Sequence, residues 1–359
     1  MMHQDDTILY LSRKEVEQAC QQVDSVAVIR EVFAMHASGQ TILPDEAYLG
    51  WTTAGGERVR SLNMPSYVGG SVGIAGTKII NSNPHNPMRS LPRASGLTLL
   101  YDTTTTRVTC VMEGAYLSSL RTASVTALAT DICKGDTITC IAVIGAGVLA
   151  QAHIELMVRR IPQVQQIRIF DLSAERVEAL QQQIAPLLEA HGVALQVAAN
   201  PEEAIRPAQL IIPATTTTSG YIQYEWLQPG AILVNISLDD ALPEVVFKAD
   251  KVIVDDWSLV KNDPHRLLGR MYRAGQIIGP DDACDVCSTS EPMSTATSAP
   301  RRRIDAQLGE VVLGTKAGRD ATSDIILVNP FGLSIEDIAL ASQVYRIARD
   351  LRIGVALER

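Results

Sequence analysis

The sequence predicts an α/β protein in which an α+β domain precedes a doubly wound parallel sheet. Residues 137–256 alternate short apolar strands with amphipathic helices, which is the pattern of such a sheet. Residues 42–113 instead form strands and turns in succession. Because a chain of 359 residues also exceeds the length of one typical domain, we predict two domains that meet near residue 135.

The first predicted domain opens with a strand and a capped helix. Ile8–Leu11 is a short apolar run, and Ser12 and Glu15 have the spacing of a capping box for the helix that follows. Turn residues separate the later strands, which are predicted at 59–62, 72–81, 96–101 and 108–112. A helix rich in Ala, Ser and Leu is predicted over 113–133.

The second predicted domain begins with a glycine-rich turn between a strand and a helix. The apolar run 139–144 leads into Gly145-Ala146-Gly147-Val148-Leu149-Ala150, and a helical pattern follows to about residue 157. In this G-x-G-x-x-A turn the first glycine permits the tight bend, and the second lets the backbone approach a pyrophosphate. The start of the helix offers N–H groups and a positive dipole end to the phosphates. The turn therefore predicts a dinucleotide site at 145–149.

An acidic residue indicates which dinucleotide binds. The strand-like run 166–170 ends in Asp171, roughly 20 residues past the turn, where a carboxylate hydrogen-bonds the adenosine ribose. The same carboxylate repels a 2′-phosphate, so we predict NAD rather than NADP. The alternative is that Asp171 only caps the next helix, but Ser173 can serve as that cap and leave Asp171 free.

The remaining elements alternate as the doubly wound pattern requires. Strands are predicted at 194–197, 210–213, 231–236, 252–254 and 325–328, and helices at 173–191, 257–274 and 335–351. Residues 284–303 are rich in Ser, Thr and Pro and predict a loop, which serves either as a lid or as ordinary surface.

Polar residues follow two of these strands. Thr215 and Thr216 follow 210–213, and Ser237, Asp239 and Asp240 follow 231–236. Since ligands bind at the carboxyl edge of a doubly wound sheet, we expect Thr215, Thr216 and Ser237 to contact the cofactor. Either aspartate suits a general base, the alternative being that one of them caps the helix near 243.

Three cations in the first domain are candidates for binding an anion. Lys78 lies in an apolar strand, where a charge needs a partner or a ligand, unless it faces solvent on an edge strand. Arg121 lies among small residues that would let a carboxylate or phosphate approach its guanidinium, unless it is an ordinary surface arginine. Arg60 is a third candidate, and Arg58 shares its strand face, so either one could act.

Composition excludes several classes of function. The net charge of −9 argues against nucleic acid or an anionic membrane as the main partner. The six histidines lack ligand spacing, so we predict no metal site, and Cys284 and Cys287 form a lone C-x-x-C that we interpret as reduced thiols. We expect a cytoplasmic protein, since neither a signal-peptide pattern nor a membrane-length apolar run is present.

Five segments taken together carry a family resemblance. They are the strand that contains Lys78 together with the following residues 81–84, Glu113 together with residues 121–123, residues 145–153, residues 213–216, and residues 329–337. With these, the chain resembles the ornithine cyclodeaminase/mu-crystallin family over nearly its whole length. The resemblance implies a homodimer in which an N-terminal substrate and dimerisation domain precedes a Rossmann domain. It also implies that the C-terminal helix returns to the first domain, giving domains of 1–134 with 325–359 and of 135–324.

The resemblance also implies roles for individual residues. Lys78, Arg121 and Arg60 bind the substrate α-carboxylate, Asp240 is the acid/base, and Arg121 and Thr122 touch the cofactor phosphates. The segments 91–96 and 329–332 are similar to those of dehydrogenases that form 2,3-diaminopropionate from N-(2-amino-2-carboxyethyl)-L-glutamate. A substrate with three carboxylates would also engage Arg93.

Other activities in the family stay open. Cyclodeaminases often carry Gly-Gly-Asp and then Gly-Lys where this chain has Ser237-Leu-Asp-Asp240, which disfavours a cyclodeaminase and leaves Asp239 and Asp240 as alternatives. The remaining hypotheses are an ornithine or lysine cyclodeaminase that recycles its NAD, an imine or ketimine reductase, and a nucleotide-dependent binding protein without turnover. The exact substrate and the reaction direction are not predicted.

Overall fold

A computed structural model describes residues 7–135, 137–282 and 301–359. Cys284, Cys287 and residues 284–300 of the predicted loop lie outside this described part. The chain divides into two compact units, Met1–Leu128 with Gly332–Arg359, and Ala129–Phe331. We call them unit 1 and unit 2.

The elements are numbered here in chain order. The strands are β1 (Thr7–Leu11), β2 (Thr41–Ile42), β3 (Ala47–Thr52), β4 (Arg58–Val68), β5 (Ile74–Ser82), β6 (Ala94–Tyr101), β7 (Val108–Glu113), β8 (Cys140–Ile144), β9 (Gln166–Phe170), β10 (Ala194–Val197), β11 (Leu210–Pro213), β12 (Ile232–Val234), β13 (Lys251–Val254), β14 (Ile277–Ile278), β15 (Arg302–Arg303), β16 (Ala306–Gln307), β17 (Ile326–Asn329) and β18 (Val355–Glu358). The α-helices are α1 (Arg13–Cys20), α2 (Ser25–Ala37), α3 (Ala115–Cys133), α4 (Val148–Arg160), α5 (Ala174–His191), α6 (Pro201–Ile205), α7 (Pro243–Lys248), α8 (Trp257–Asn262), α9 (Leu267–Arg273), α10 (Leu308–Val312) and α11 (Ser334–Leu351). Short 3₁₀ helices cover Asn86–Arg89 and Tyr224–Trp226.

Unit 1 is built on one mixed sheet. Its order is β18-β1-β7-β6-β5-β4-β2, with β3 also paired to β4, and the neighbours are antiparallel except for β1 and β7. The predicted capping box is present, because the Ser12 amide donates to Glu15 Oε2 at 2.7 Å. Helix α11 packs against β4, β5 and β6, so the C-terminal helix forms part of unit 1 as predicted.

Gly76 allows this helix to lie close to the sheet. A Cβ at this position would lie 2.4 Å from the carbonyl oxygen of Leu99 and 2.7 Å from Cδ1 of Ile338 on α11. Only a residue without a side chain fits between the strand and the helix there. Since Ile338 follows Glu336 and Asp337, the close packing holds the first turn of α11 against β5.

Unit 2 is the doubly wound domain, with a parallel sheet in the order β10-β9-β8-β11-β12-β17-β13-β16. All five residues of β8 are buried, as expected for a central strand covered on both faces. The strand order reverses between β8 and β11, which is the switch point where such sheets bind ligands.

Some predicted elements differ from the structure. The predicted helix 257–274 is wrong: the chain forms α8 and α9 instead, with Asp263 extended between them (φ −71°, ψ 117°). Pro264 explains the break, because a proline disfavours helical geometry in the residue before it. Strand β17 pairs with β12 and β13, so unit 2 continues to Phe331 instead of ending at 324.

Two further properties of the described residues concern their cysteines and their helices. Cys20, Cys110, Cys133 and Cys140 are buried free thiols. Among the described helices, none combines the length and the apolar character that crossing a membrane requires.

Candidate active site

The glycine turn lies at the switch point of the unit 2 sheet. Gly145 has φ 104°, and a Cβ on it would lie 2.6 Å from the carbonyl oxygen of Ala214, which follows β11. Only glycine tolerates this conformation and this close contact. A Cβ on Gly147 would meet no atom within 4 Å, so open space adjoins the backbone where the sequence predicts a pyrophosphate.

Helix α4 starts from this turn without a side-chain cap. Gly147 is its N-cap residue and supplies no side chain, so no cap hydrogen bond covers the first N–H groups. Val148 is exposed in the first turn, Leu149 is half-buried, and Ala150 is fully buried against the sheet. The donor set fits the phosphates of a dinucleotide.

Asp171 is not free, contrary to the sequence-based expectation. Its Oδ2 accepts a hydrogen bond from the Ala146 amide and its Oδ1 one from the Ser173 amide, both at 2.8 Å. Ser173 does cap α5, because its side chain accepts from Arg176 N. The carboxylate therefore joins the end of β9 to the glycine turn, and contact with a ribose stays a prediction.

His153, on α4, is a buried residue for which no role was predicted. Its Nδ1 lies 2.6 Å from the carbonyl oxygen of Leu149, and it is fully buried. Burial lowers the pKa of His153 to about 4, so the ring is neutral at physiological pH. It supports the first turns of α4 from the inside.

Asp240 lies in the turn after β12 and is surrounded by hydroxyl groups. Its Oδ1 accepts hydrogen bonds from Thr215 Oγ1 at 2.7 Å and from the Tyr221 hydroxyl at 3.0 Å. Ser237 donates to the carbonyl oxygen of Pro213 instead, at 2.7 Å. Among the described residues, Oδ2 of Asp240 has no hydrogen-bond partner although the side chain is fully buried.

These surroundings change the acidity of the carboxyl group. Burial raises the pKa of Asp240 above the ordinary aspartate value, while the hydrogen bond from Thr215 opposes that change. The carboxyl group therefore takes up a proton more readily than an exposed aspartate does, which suits a general acid/base.

Asp239 has a different environment. It is ion-paired with Arg266 at 3.1 Å and with Arg270 at 3.2 Å, both on or next to α9. Leu238, just before it, has φ 76°, a strained value for a leucine. The turn thus directs Asp239 to two arginines and leaves Asp240 among hydroxyls, so the geometry favours Asp240 between the two alternatives.

Lys78 is buried inside unit 1. Its strand β5 lies between β4 and β6, so the alternative of an edge-strand lysine facing solvent is wrong. Its Nζ donates to Asp337 Oδ2 at 2.7 Å, and both side chains are almost inaccessible to solvent. Burial lowers the pKa of Lys78, and the Asp337 carboxylate opposes that change.

Arg121 joins the same group of charges. Its Nη1 donates to Glu336 Oε2 at 2.9 Å, and its Nε lies 3.3 Å from Asp337 Oδ1. The Asp337 carboxylate therefore bridges Lys78 and Arg121. The guanidinium also packs on Gly332 (φ 94°), where a Cβ would lie 2.6 Å from Nη1. We call Lys78, Arg121, Glu336 and Asp337 the buried charge cluster.

Glu336 and Asp337 were missed as site residues. They belong to the segment 329–337 that carries the family resemblance, but acids in the first turn of a helix are usually explained by the helix dipole alone. The signal that points further is their combination with a lysine in an apolar strand, since each buried charge requires the other.

The other predicted site residues lie outside this cluster. Arg60, on β4, is half-buried, and Arg93 lies just before β6 and donates to Ser82 Oγ at 3.3 Å. Thr122 donates to the Ser118 carbonyl oxygen within α3, and Thr216 is exposed after β11. The Thr215 amide donates to Ser237 Oγ at 3.1 Å, so these two residues bind each other as well as lining the sheet edge.

No group of three metal-ligating side chains is present within 7–135, 137–282 and 301–359.

Comparison with known proteins decides the family. Residues 7–351 match the family described as ornithine cyclodeaminase/mu-crystallin. The chain belongs to this family. The resemblance predicted from the sequence is thus confirmed.

Relatives of known name agree over the full length. The N-((2S)-2-amino-2-carboxyethyl)-L-glutamate dehydrogenase of Staphylococcus aureus is 32% identical over 358 residues, covering 98% of each chain. The crystal structure of CmnK is also 32% identical, with a TM-score of 0.86 and 98% coverage of both chains. An archaeal alanine dehydrogenase dimer with bound NAD is 24% identical with a TM-score of 0.80, covering 98% and 99%, which shows the common fold alone. The predicted fold class is confirmed.

Proposed function

We propose that this protein is an NAD-dependent dehydrogenase that oxidatively cleaves N-(2-amino-2-carboxyethyl)-L-glutamate. The products are L-2,3-diaminopropionate, 2-oxoglutarate and NADH. The observation that carries the proposal is the 32% identity, over nearly the whole of both chains, with a relative named for this substrate. The buried charge cluster and Asp240 supply groups that the reaction needs.

NAD fits the glycine turn of unit 2. The open space beside Gly147, the uncapped start of α4 and the strained Gly145 are the features of a dinucleotide site. We assign contacts with the cofactor to residues 145–149, Asp171, Thr215, Thr216 and Ser237, and contacts with its phosphates also to Arg121 and Thr122. When bound, NAD accepts the hydride from the glutamyl Cα of the substrate.

Lys78 and Arg121 would bind a carboxylate of the substrate. Both cations are buried and held in place by Glu336 and Asp337, so they offer preorganised hydrogen-bond donors. Binding the α-carboxylate there would fix the orientation of the Cα–H bond that is broken.

Asp240 would move the protons. Loss of hydride from the glutamyl Cα leaves a C=N bond to the amine nitrogen. Asp240, as a base, takes a proton from water while the water oxygen attacks that carbon, which yields a carbinolamine. Return of the proton to the nitrogen makes the amine a leaving group. As the C–N bond breaks, the hydroxyl group gives its proton to Asp240 and becomes the keto group of 2-oxoglutarate, and 2,3-diaminopropionate separates. The buried Oδ2 without a partner among the described residues is the atom we assign to this transfer.

The test mixes the purified protein with NAD and N-(2-amino-2-carboxyethyl)-L-glutamate and follows NADH absorbance and 2-oxoglutarate. We expect the two products in equal amounts, and none with the Asp240→Asn variant. Ammonia released from ornithine or lysine without net NADH would instead identify a cyclodeaminase. Oxidation of added NADH by a cyclic imine or a keto acid would identify a reductase, and cofactor binding without any turnover a binding protein.

We also propose that the protein is a cytoplasmic homodimer. In β3, all six residues are exposed, among them Tyr48, Leu49 and Trp51, and Ile42 on β2 is exposed as well. Apolar surface of this kind marks an interaction site, and the family resemblance assigns dimerisation to unit 1. The buried free thiols suit a reducing compartment. Light scattering of the wild type and of Trp51→Lys tests the dimer: we expect a dimer that the substitution weakens.

A further inference from the structure

A second pair of cations lies on the same sheet face as Lys78. Residues opposite each other in antiparallel strands share a face, and here Lys78 pairs with Met64 while Ser82 pairs with Arg60. Because side chains alternate along β5, Lys78 and Ser82 also share this face. Their Cα atoms are four residues apart, or about 13 Å along the strand.

Arg60 and Arg93 converge at the Ser82 end of this face. Ser82 pairs with Arg60 on β4 and with Ala94 on β6, and Arg93 donates to its hydroxyl at 3.3 Å. Partial desolvation, and then the like charge of Arg60, lower the pKa of Arg93.

The nearby acid, Glu57, is used elsewhere. Its carboxylate accepts hydrogen bonds from Asn83 at 2.8 Å and from both Nη1 and Nη2 of Arg89, at 3.1 and 2.5 Å. This arrangement holds the segment 83–93, which is closed by a bond from the Asn83 amide to the Arg93 carbonyl oxygen. Neither Arg60 nor Arg93 has an acidic partner within the part of the chain that the structure describes.

The two cation pairs therefore differ in charge balance. Lys78 and Arg121 are matched by Glu336 and Asp337. Arg60, which pairs with Ser82, and Arg93, which donates to it, have no counter-ion among the described residues. Two like charges placed side by side repel each other unless an anion binds between them. A carboxylate matches the forked donor geometry of arginine and could also accept from the Ser82 hydroxyl.

We propose that Arg60, Arg93 and Ser82 form a second carboxylate subsite, which takes the γ-carboxylate of the glutamyl half while Lys78 and Arg121 hold its α-carboxylate. The two carboxylate carbons of a glutamyl group lie about 5 Å apart when extended. The subsite requires the long side chains of Lys78 and Arg60 to reach toward each other across the interval of about 13 Å, so that the groups that bind the two carboxylates come close to that spacing. The inference rests on the proposed function. It moves Arg60 from the α-carboxylate, to which the family resemblance assigns it, to the distal carboxylate, and it makes Arg60 and Arg93 the residues that select substrates with that group.

Two keto acids of equal chain length isolate this interaction. 2-Oxoglutarate carries the distal carboxylate, and 2-oxovalerate carries a methyl group in its place. Isothermal titration of the NADH-loaded enzyme with each ligand gives the ratio of their affinities. We expect the wild type to prefer 2-oxoglutarate, and Arg93→Gln and Arg60→Gln each to reduce the preference by about tenfold to a hundredfold. Affinity for 2-oxovalerate should change little.

Two further variants separate the loss of the subsite from a general effect of removing a positive charge. Arg93→Lys keeps a charge and should retain part of the preference. Arg13→Gln removes a charge from an exposed pair with Glu17 on α1 and should leave the ratio unchanged. Any of three results would overturn the subsite. The affinity ratio could be unaltered in both Gln variants, both ligands could lose affinity equally, or the wild type could show no preference for 2-oxoglutarate.

This outcome is distinguishable from failure of the proposed function. If the wild type prefers 2-oxoglutarate through Arg60 and Arg93 but forms no NADH from N-(2-amino-2-carboxyethyl)-L-glutamate, the subsite stands and the substrate assignment falls. If NADH and 2-oxoglutarate form but the Gln variants keep the full preference, the function stands and the subsite falls.

Discussion

The two units bury charge in different ways. In unit 1, Lys78 and Arg121 are matched by Glu336 and Asp337, and Asp337 bridges both cations. In unit 2, Asp240 is equally buried, but its described hydrogen-bond donors are the hydroxyl groups of Thr215 and Tyr221. One centre is compensated by opposite charge and the other by neutral dipoles.

The two environments suit the two centres to different roles. An opposite charge stabilises the ionised form of its partner, which suits a group that binds a carboxylate. A carboxyl group held only by neutral donors in a buried position has a raised pKa and can exchange its proton during turnover. The buried charge cluster is therefore suited to binding, and Asp240 to proton transfer.

Removing the proton-accepting carboxylate of Asp240 should have the largest effect on turnover. Asp240→Asn keeps the shape and the size of the side chain but cannot act as a base, so we expect kcat to fall by about 10² to 10⁴-fold. Binding of NAD, measured by fluorescence titration, should be nearly unchanged. Steady-state kinetics with N-(2-amino-2-carboxyethyl)-L-glutamate checks the loss.

The neighbouring aspartate is the matched control. Asp239→Asn breaks the pairs with Arg266 and Arg270, which are partly exposed, so the expected effect is on stability. Its unfolding midpoint in urea should fall while kcat changes much less than in Asp240→Asn. The opposite pattern, with the larger kcat loss in Asp239→Asn, would reverse the assignment of the acid/base.

Breaking the charge balance of unit 1 should have the next largest effect. In Asp337→Asn, Lys78 loses the carboxylate that opposes the lowering of its pKa by burial. Its pKa then falls further, and a growing share of the lysine is neutral at neutral pH. We expect kcat/KM to fall by about 100-fold at pH 8 and to recover partly as the pH is lowered, because low pH restores the charge.

The pH profile separates this effect from simple damage to the fold. Lys78→Ala removes the charge at every pH, so its turnover should be nearly abolished without recovery at low pH, while NAD still binds. A loss in Asp337→Asn that is the same at all pH values would mean that Asp337 contributes packing and not the charge state of Lys78.

Asp171 is a half-buried carboxylate with a third kind of environment, and a smaller effect is expected from it. It accepts hydrogen bonds from the backbone amides of Ala146 and Ser173, so it supports the glycine turn, and its contact with the ribose stays a prediction. We expect Asp171→Ala to weaken NAD about tenfold relative to NADP, since the repulsion of a 2′-phosphate is lost. The ratio of the two KM values is the measurement, because damage to the turn alone would weaken both cofactors equally and leave the ratio unchanged.

The comparison also shows what could be predicted from the sequence. Strands β9, β10 and β11 were predicted with the observed bounds, because polar residues and turns delimit each short run. Strand β3 was missed, since all six of its residues are exposed and it lacks the alternation that marks a half-buried strand. The glycine turn was interpreted from local sequence alone, as its chemistry is local.

The features that could not be predicted depend on contacts between distant parts of the chain. Lys78 was recognised as a buried cation that needs a partner, but its partner Asp337 lies 259 residues away. The choice between Asp239 and Asp240 depended on Arg266 and Arg270, whose positions follow from the break at Pro264 that the sequence analysis missed. Partners of this kind follow from the fold and not from spacing.

Tyr221→Phe tests whether neutral hydroxyl groups set the acidity of Asp240, and it has the smallest expected effect. It removes one hydrogen bond to Oδ1, and since that bond lowers the pKa of Asp240, the pKa should rise in the variant. The base is the ionised form, so the acidic limb of the kcat/KM profile should move to higher pH. At pH values above that limb, the rate should stay within about fivefold of the wild type, because the carboxylate itself is intact. Tyr224→Phe is the control, as Tyr224 lies in the following 3₁₀ helix and packs by Lys248. If the acidic limb stayed in place or moved to lower pH, hydroxyl groups would not be what sets the acidity of Asp240, and the contrast between the two buried centres would rest on burial alone.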